Sequence, residues 1–580
     1  MLGTDRYRCG VLACLLVGSA ACFGGDPTSP VASLAWQSGS GFRQARLHVA
    51  PTGPDGFREV PSSTTGIGFR NALAPIEVAS NNNLMNGSGV AAGDFDGDGW
   101  CDLYFCAISG TNALYRNVGG WRFEPVTNSP VVGCAGLHST GAVFADVDAD
   151  GDADLLVGTL GSGVCCFLND GAGRFRDGTA EVGLRSDTGS TSLAMADVDG
   201  DRDLDLYVAN YGAVSLLRSG GKADMRQVNG RWEFIGPIAK RLRIIGGRIE
   251  EVGELDVLYL NDGHGHFQPV PWNSEFFLDE NGKPKADPTD FGLSVQMRDL
   301  NGDRAPEIYV CNDFQTVDRF WINDGRGRFR LLPRLAMRKQ SFSSMSVDFG
   351  DIDRDGDFDF FVTEMLGRKH LDRTRQLVGM EPYLSQPGRL EGRPEVARNT
   401  LYLAQGDGEY SEIAYAAGVH ASDWTWQSLF LDVDLDGYED LLVCNGVMYD
   451  VLDRDVLARI RARGRISPDQ SRTNLWLYPP FLTPNVAWRN RHDLTFEDVS
   501  QRWGFDSTQI SQGAALADFD HDGDLDLAVN TLNGPPLLLC NQTAAPRIAV
   551  RLRGRPSTAP GIGALIRVSG GPVPLQMQEM

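Results

Sequence analysis

Along the chain, apolar and polar positions repeat one short pattern: a small or apolar stretch, an acidic turn, an apolar run, then a second turn rich in glycine. In the first repeat Val90-Ala91-Ala92-Gly93 leads into DFDGDGWCDL, and in the second DVDADGDADL runs into Leu155-Leu156-Val157. Short apolar runs bounded by turn signals predict strands rather than helices. The unit is strand, acidic turn, strand.

A second signature follows most acidic turns: an aromatic or aliphatic pair, asparagine, a glycine-bearing turn and an aromatic. It reads LYRNVGGWRF ending at Phe123, CFLNDGAGRF at Phe175, LYLNDGHGHF at Phe267, FWINDGRGRF at Phe329, LYLAQGDGEY at Tyr410 and AWRNRHDLTF at Phe496. Asn-Asp-Gly between apolar residues is a hairpin signal, because asparagine and glycine tolerate the positive φ of tight turns. One repeat is therefore four strands in about 50 residues, the size of a propeller blade.

The acidic turns begin at Asp94, Asp146, Asp197, Asp299, Asp351, Asp432 and Asp518, spaced by 52, 51, 102, 52, 81 and 86 residues. The interval of 102 holds a single hairpin signature, so it predicts one enlarged blade rather than a lost repeat. The expected fold is an all-β, seven-bladed β-propeller over 56–543, with insertions near 212–256, 366–395 and 449–484 emerging on one face. GFREVPSSTTGIGF at Gly56 to Phe69 matches the stretch that follows each hairpin, and the last acidic turn lacks such a strand after it. The N-terminal strand should therefore complete the last blade and hide both sheet edges.

Composition sharpens this picture. The formal charge is −23, yet 42% of residues are hydrophobic, which is ample for a core and excludes an acidic disordered chain. With no basic stripe interleaved with aromatics, nucleic acid is not an expected partner.

The acidic turns carry the candidate chemistry. In D-x-D-x-D-G-x-x-D, carboxylates at positions 1, 3, 5 and 9 and a carbonyl at position 7 converge as hard oxygen donors, the set that Ca²⁺ takes; Zn²⁺ wants His or Cys, and Mg²⁺ a stricter octahedron. Loop one offers Asp94, Asp96, Asp98 and Asp102 with the Trp100 carbonyl, and loop two offers Asp146, Asp148, Asp150 and Asp154 with Asp152. Loop three has Asp197, Asp199, Asp201 and Asp205 with Asp203; loop four has Asp299, Asn301, Asp303 and Glu307 with Ala305. Loop five has Asp351, Asp353, Asp355 and Asp359 with Asp357; loop six has Asp432, Asp434, Asp436 and Asp440 with Tyr438; loop seven has Asp518, Asp520, Asp522 and Asp526 with Asp524. Seven Ca²⁺ ions would take the formal −23 to −9 and so account for most of the acidity. Arg202 and Arg304 replace the turn glycine of position 6, and Asn301, Glu307 and Pro306 depart further in loop four, so loops three and four are the weaker sites.

The first 22 residues read as an export signal: Arg6 and Arg8, an apolar run from Gly10 to Ala21, and small residues before Cys22. Ser-Ala-Ala-Cys resembles a lipobox, which leaves two fates, lipid anchoring at Cys22 or plain secretion; residues 23–55 read as a linker. Past the signal, eight cysteines remain, with Cys106, Cys311 and Cys444 at equivalent strand positions where small buried residues are expected.

On these residues the chain resembles the FG-GAP, or VCBS-type, repeat proteins with integrin-α-like propellers, GSGVAAGDFDGDGWCDLYF at Gly87 to Phe105 being close to that repeat. Asn541 to Val568 resembles the start of an ASPIC/UnbV domain of the cartilage acidic protein 1 family, a partial domain over 544–580. The resemblance implies a non-catalytic surface propeller, monomeric, that binds a protein or glycan ligand. The eight histidines form no triad or metal-ligand spacing, His264 and His266 flanking a hairpin tip, and no nucleophile elbow or phosphate-binding loop is present. The competing expectation is an exported lyase or hydrolase acting on polysaccharide at the central channel. VLDRDVLARIRARGR at Val451 to Arg465 has helical apolar spacing with a basic face and is expected to pack on the rim.

Overall fold

The computed structural model describes residues 15–16, 37–47, 52–215, 224–236, 238–245, 247–272, 276–285, 289–313, 316–376, 393–464, 468–552, 561–570 and 573–580. Apart from Leu15–Leu16, the expected signal with Cys22 lies outside them, as do the middle of the second insertion and part of the first. Seven antiparallel sheets form the body, each with a core of four strands. They span 90–125, 139–177, 190–269, 292–331, 347–412, 425–498 and 510–541, the last completed by Phe57–Glu59 from the N-terminus. Phe57 pairs with Asn541 and Glu59 with Leu539, so the ring closes as the repeat pattern predicts. Blade four gains a fifth strand, Phe277–Leu278, parallel to Phe329–Leu331.

The first strand of each blade contacts its counterparts in the two neighbouring blades, and these seven strands surround the axis. Small residues permit that convergence. A Cβ on Gly513 would lie 2.5 Å from Gly89 Cα. Between successive blades lie seven separate apolar cores, such as Leu155, Val157 and Phe167 of blade two against Tyr104 and Leu114 of blade one. Burial of roughly 1.5–3 kcal/mol per large side chain makes these interblade faces the main source of stability.

Topology sorts the connections onto two faces. The acidic turns join first to second strands, and the glycine-rich hairpins join third to fourth, so both emerge on one face. All three insertions join second to third strands and therefore leave from the opposite face. The first carries the hairpins Asp224–Val228 with Arg231–Ile235 and Leu242–Ile245 with Arg248–Glu251. The second carries helix His370–Gln376, and the third carries helices Arg454–Ala462 and Pro468–Thr473. The helix expected near Val451 to Arg465 does pack on the body: Asp453 caps it through the amides of Asp455 and Val456, and Val456 is buried. Among the described residues no helix is long and apolar enough to cross a membrane, which says nothing of a β-barrel.

Past blade seven the chain turns across the acidic face. Arg547 pairs with Asp522 and Asp524 of loop seven, and Arg551 comes within 3.9 Å of Asp94 in loop one. A hairpin of Leu565–Ser569 and Leu575–Glu579 then lies over loops four to six. Its Met577 is buried with Leu300, Phe349 and Phe358, while Arg298 donates to the Glu579 carbonyl at 2.7 Å and the Asp299 amide to the Glu579 carboxylate at 3.0 Å.

Candidate metal centres in the acidic loops

All seven acidic loops have one geometry. The position-1 carboxylate accepts from the amide of position 6, as in Asp94 from Gly99 at 2.9 Å, Asp197 from Arg202 at 3.1 Å and Asp299 from Arg304 at 2.9 Å. The position-9 carboxylate accepts from the amide of position 2, as in Asp102 from Phe95 at 3.1 Å and Glu307 from Leu300 at 2.8 Å. Position 6 is left-handed throughout, with φ of +94° at Gly99, +81° at Arg202 and +73° at Arg304. The two arginines thus hold the turn that glycine holds elsewhere, at the ~1–2 kcal/mol cost of a side chain in that region. Position 4 is left-handed as well, at Gly97, Ala149, Gly200, Gly302, Arg354, Leu435 and His521, a requirement that the mixed residue types there conceal.

Side-chain oxygens of positions 1, 3 and 9 come within 4.8 Å of one another in loops one, two, three and six, and those of positions 1, 3 and 5 in loop five. Such clusters can hold a metal ion. Burial pushes the Asp94 carboxyl up to about 7, the Gly99 amide opposing and Asp98 and Asp96 adding like charge. Burial also raises Asp351 and Asp518 to about 7 and Asp432 to about 8. Several oxygens inside the loops are buried and accept nothing: Oδ1 of Asp94, Asp146, Asp299, Asp203, Asp434, Asp520 and Asp524. A carboxylate oxygen with neither water nor donor is costly, and a cation removes that cost. The donor set, all oxygen and mostly charged, fits Ca²⁺.

Several side chains outside the motif also reach these carboxylates. Arg116, on the third strand of blade one, lies 2.6 Å from both Asp96 and Asp98. Arg489 likewise bridges Asp434 and Asp436 in loop six, where His492 Nε2 is 2.9 Å from Asp436. In loop four Asn301 donates to Glu307 at 2.9 Å, so the weakest motif satisfies part of itself. The Trp100 ring stacks on His521 with centroids 3.8 Å apart, fixing loop one against loop seven.

The hairpin asparagine has a role that its turn signal hides. Asn117 donates its amide to the Cys101 carbonyl of its own loop and to Phe519 of the preceding blade, at 3.1 and 3.0 Å, and Asp102 accepts from the Asn117 backbone at 2.7 Å. Asn169, Asn261, Asn323, Asn490 and Asn541 reach back to the preceding blade in the same way. Blade five has Ala404 there, keeping the backbone bond to Asp359 at 2.8 Å but offering no amide to blade four.

A matching clamp sits at the opposite end of the second strands. Asp256 accepts from the Asn210 amide at 2.7 Å and Tyr207 at 3.0 Å, and Asp318 from the Asn312 amide and Tyr309, both at 2.8 Å. Asn112, Asn399 and Asn485 do this for blades one, five and six. Burial raises both Asp256 and Asp318 to about 7. Each of these residues stands five positions before the hairpin asparagine position, as Asp256 before Asn261 and Asp318 before Asn323, a spacing that the insertions upstream leave unchanged.

The eight cysteines among the described residues are free, with Cys106, Cys311 and Cys444 buried. His266 contacts Asp262 at the expected hairpin tip.

Residues 94–157, 146–208 and 299–362 match the FG-GAP-like repeat. Cartilage acidic protein 1 of Xenopus tropicalis is 26% identical over 206 residues, 33% of this chain and 31% of that protein. The Homo sapiens protein of the same name is 26% identical over 164 residues, 27% of this chain and 24% of its own. The chain thus spans a third or less of the length of these relatives. Among solved structures, an Agrocybe aegerita lectin recognising non-reducing terminal N-acetylglucosamine is 15% identical, covering 70% of this chain and 80% of its own with a TM-score of 0.34. The chain is a seven-bladed β-propeller carrying FG-GAP-like repeats, similar over part of its length to cartilage acidic protein 1.

Proposed function

We propose that the chain is an exported, calcium-stabilised, non-catalytic propeller whose acidic face is scaffold and whose insertion face binds a protein or glycan at the cell surface or in the matrix. The observation that carries this reading is the unpartnered, buried carboxylate oxygen inside loop after loop of identical geometry. Calcium would be held by Asp94, Asp96, Asp98 and Asp102 in loop one and by their counterparts in the other six. Its supply of positive charge would satisfy oxygens that the chain leaves without donors. Extracellular modules bind calcium at roughly 0.1–1 mM, which suits an exported chain. The chain would be lipid-anchored at Cys22 or plainly secreted, and residues 544–580 would form a partial ASPIC/UnbV-type domain.

The acidic face is ill placed for a partner, because the C-terminal hairpin covers loops four to six and Arg547 and Arg551 reach loops seven and one. The three insertions leave from the other face, each different in structure, as surfaces that select a ligand are. Probing a glycan and matrix-protein array with the full chain, in millimolar calcium and again in chelator, tests the reading. Calcium-dependent binding to one class is expected; turnover of an arrayed polysaccharide, or binding to nothing, overturns it.

A further inference from the structure

The insertion face carries a concentration of positive charge that the −23 of the whole chain hides. Helix His370–Gln376 of the second insertion packs against helix Arg454–Ala462 of the third. Lys369, Arg375, Arg454, Arg459 and Arg461 stand exposed on and beside these two helices. None of the five makes an ion pair among the described residues. Among the described residues the nearby acids do not offset them: Asp453 is buried as the helix cap, Asp450 is buried, Asp423 is buried and faces both Arg368 and Lys369, Asp372 is half-buried, and only Asp455 is exposed. Five unpaired cations on adjoining helices, on the face opposite the acidic loops, call for an anionic partner.

The helices also say which kind. Their apolar side is spent on the body, with Val456 1% exposed and Leu457 and Ile460 half-buried, so Leu371 is the one large apolar side chain that the two helices expose. An interfacial membrane helix turns its apolar stripe outward, which these do not. Arg463 ties the helix to the following segment through Asn474 at 2.9 Å, and that segment holds Trp476, 47% exposed. The Trp476 indole N–H reaches the Pro75 carbonyl at 3.5 Å and leaves the ring face open on the segment that follows the helix. Guanidinium forks that match carboxylates, with an aromatic face along the same insertion, are the pair of features that acidic sugar rings use.

We propose that this patch binds an anionic polysaccharide, a polymer bearing a carboxylate or sulfate on successive sugars, with Lys369, Arg375, Arg454, Arg459 and Arg461 meeting its charges and Trp476 stacking on a ring. This rests on the reading of the insertion face as the binding face and names its ligand class. The test is titration of the full chain, in calcium, with alginate as a polyuronate and dextran as its neutral counterpart. Poly-glutamate and phosphatidylglycerol vesicles serve as competing anions. Alginate is expected to bind, to weaken as salt rises, and to lose at least about tenfold in affinity in the variant Lys369→Gln, Arg375→Gln, Arg454→Gln, Arg459→Gln, Arg461→Gln. Trp476→Ala should weaken alginate alone among the anions. The exposed sites should leave the melting temperature unchanged, which separates lost binding from lost fold. Equal binding by poly-glutamate or vesicles, or alginate binding unaffected by the fivefold variant, overturns the proposal. If the array instead returns a neutral glycan or a protein while alginate fails, the ligand class is wrong and the binding face stands; if nothing binds, the broader reading fails with it.

Discussion

The two faces of the propeller are built on opposite rules. On the acidic face seven loops repeat one hydrogen-bond plan, down to left-handed residues at positions 4 and 6 even where arginine must adopt them. On the other face three insertions differ in length, and the first is built of hairpins where the second and third carry helices. Repetition on one side and divergence on the other separates what holds the ring from what can be varied without opening it. The clamps at both ends of the second strands make that separation possible, because each insertion leaves from a strand end already fastened.

The largest effect should come from the position-9 carboxylates. Asp102→Ala strands the amides of Phe95 and Asn117, each a buried donor worth about 1–3 kcal/mol, so denaturant unfolding should register a loss of roughly 2–5 kcal/mol. A change under about 1 kcal/mol would remove this residue from the scaffold. Next come the interblade amides. Asn117→Ala should cost about 1–3 kcal/mol, while Ala404→Asn, restoring the amide that blade five lacks, should gain up to about 1 kcal/mol. Opposite signs from the two substitutions would locate the seam between blades four and five.

The clamp on the insertion face gives a pH test. Burial raises the Asp256 and Asp318 carboxyls to about 7 in the folded chain. The protonated form therefore favours folding, and stability is lost as pH rises from the ordinary carboxylate range through about 7. Asp256→Asn and Asp318→Asn keep an acceptor for the Asn210 and Asn312 amides, as Asn112, Asn399 and Asn485 already do elsewhere. Melting curves from pH 5 to 8 should flatten, with a gain of about 1 kcal/mol at the alkaline end. Smallest of all, Arg454→Gln or Trp476→Ala should shift stability by less than about 0.5 kcal/mol, since both side chains are exposed. A larger loss would make the insertion face part of the scaffold and erase the distinction.

Much of the scaffold was legible because it repeats. The acidic strings and the Asn-Asp-Gly turns gave seven blades, the stretch at Gly56 to Phe69 gave ring closure, and irregular spacing placed the insertions. What repetition could not reveal lies between distant residues. Arg116 is an ordinary strand residue until the fold brings it to Asp96 and Asp98, and Glu579 meets Asp299 only because the C-terminal hairpin crosses the acidic face. Asp256 and Asp318 do stand at a fixed offset, five positions before Asn261 and Asn323, but an Asp or Asn there is an ordinary turn residue until the fold brings it to the second-strand amides of Asn210 and Asn312.

The central claim is that cations hold the acidic face together, and counting metal released on chelation while following thermal unfolding of the full chain tests it most directly. Several calcium ions per chain, up to seven, should be released, and the melting temperature should fall by roughly 2–8 °C, since each site in calcium at about one to ten times its dissociation constant contributes about 0.4–1.4 kcal/mol. No calcium released and an unchanged melting temperature would contradict the account.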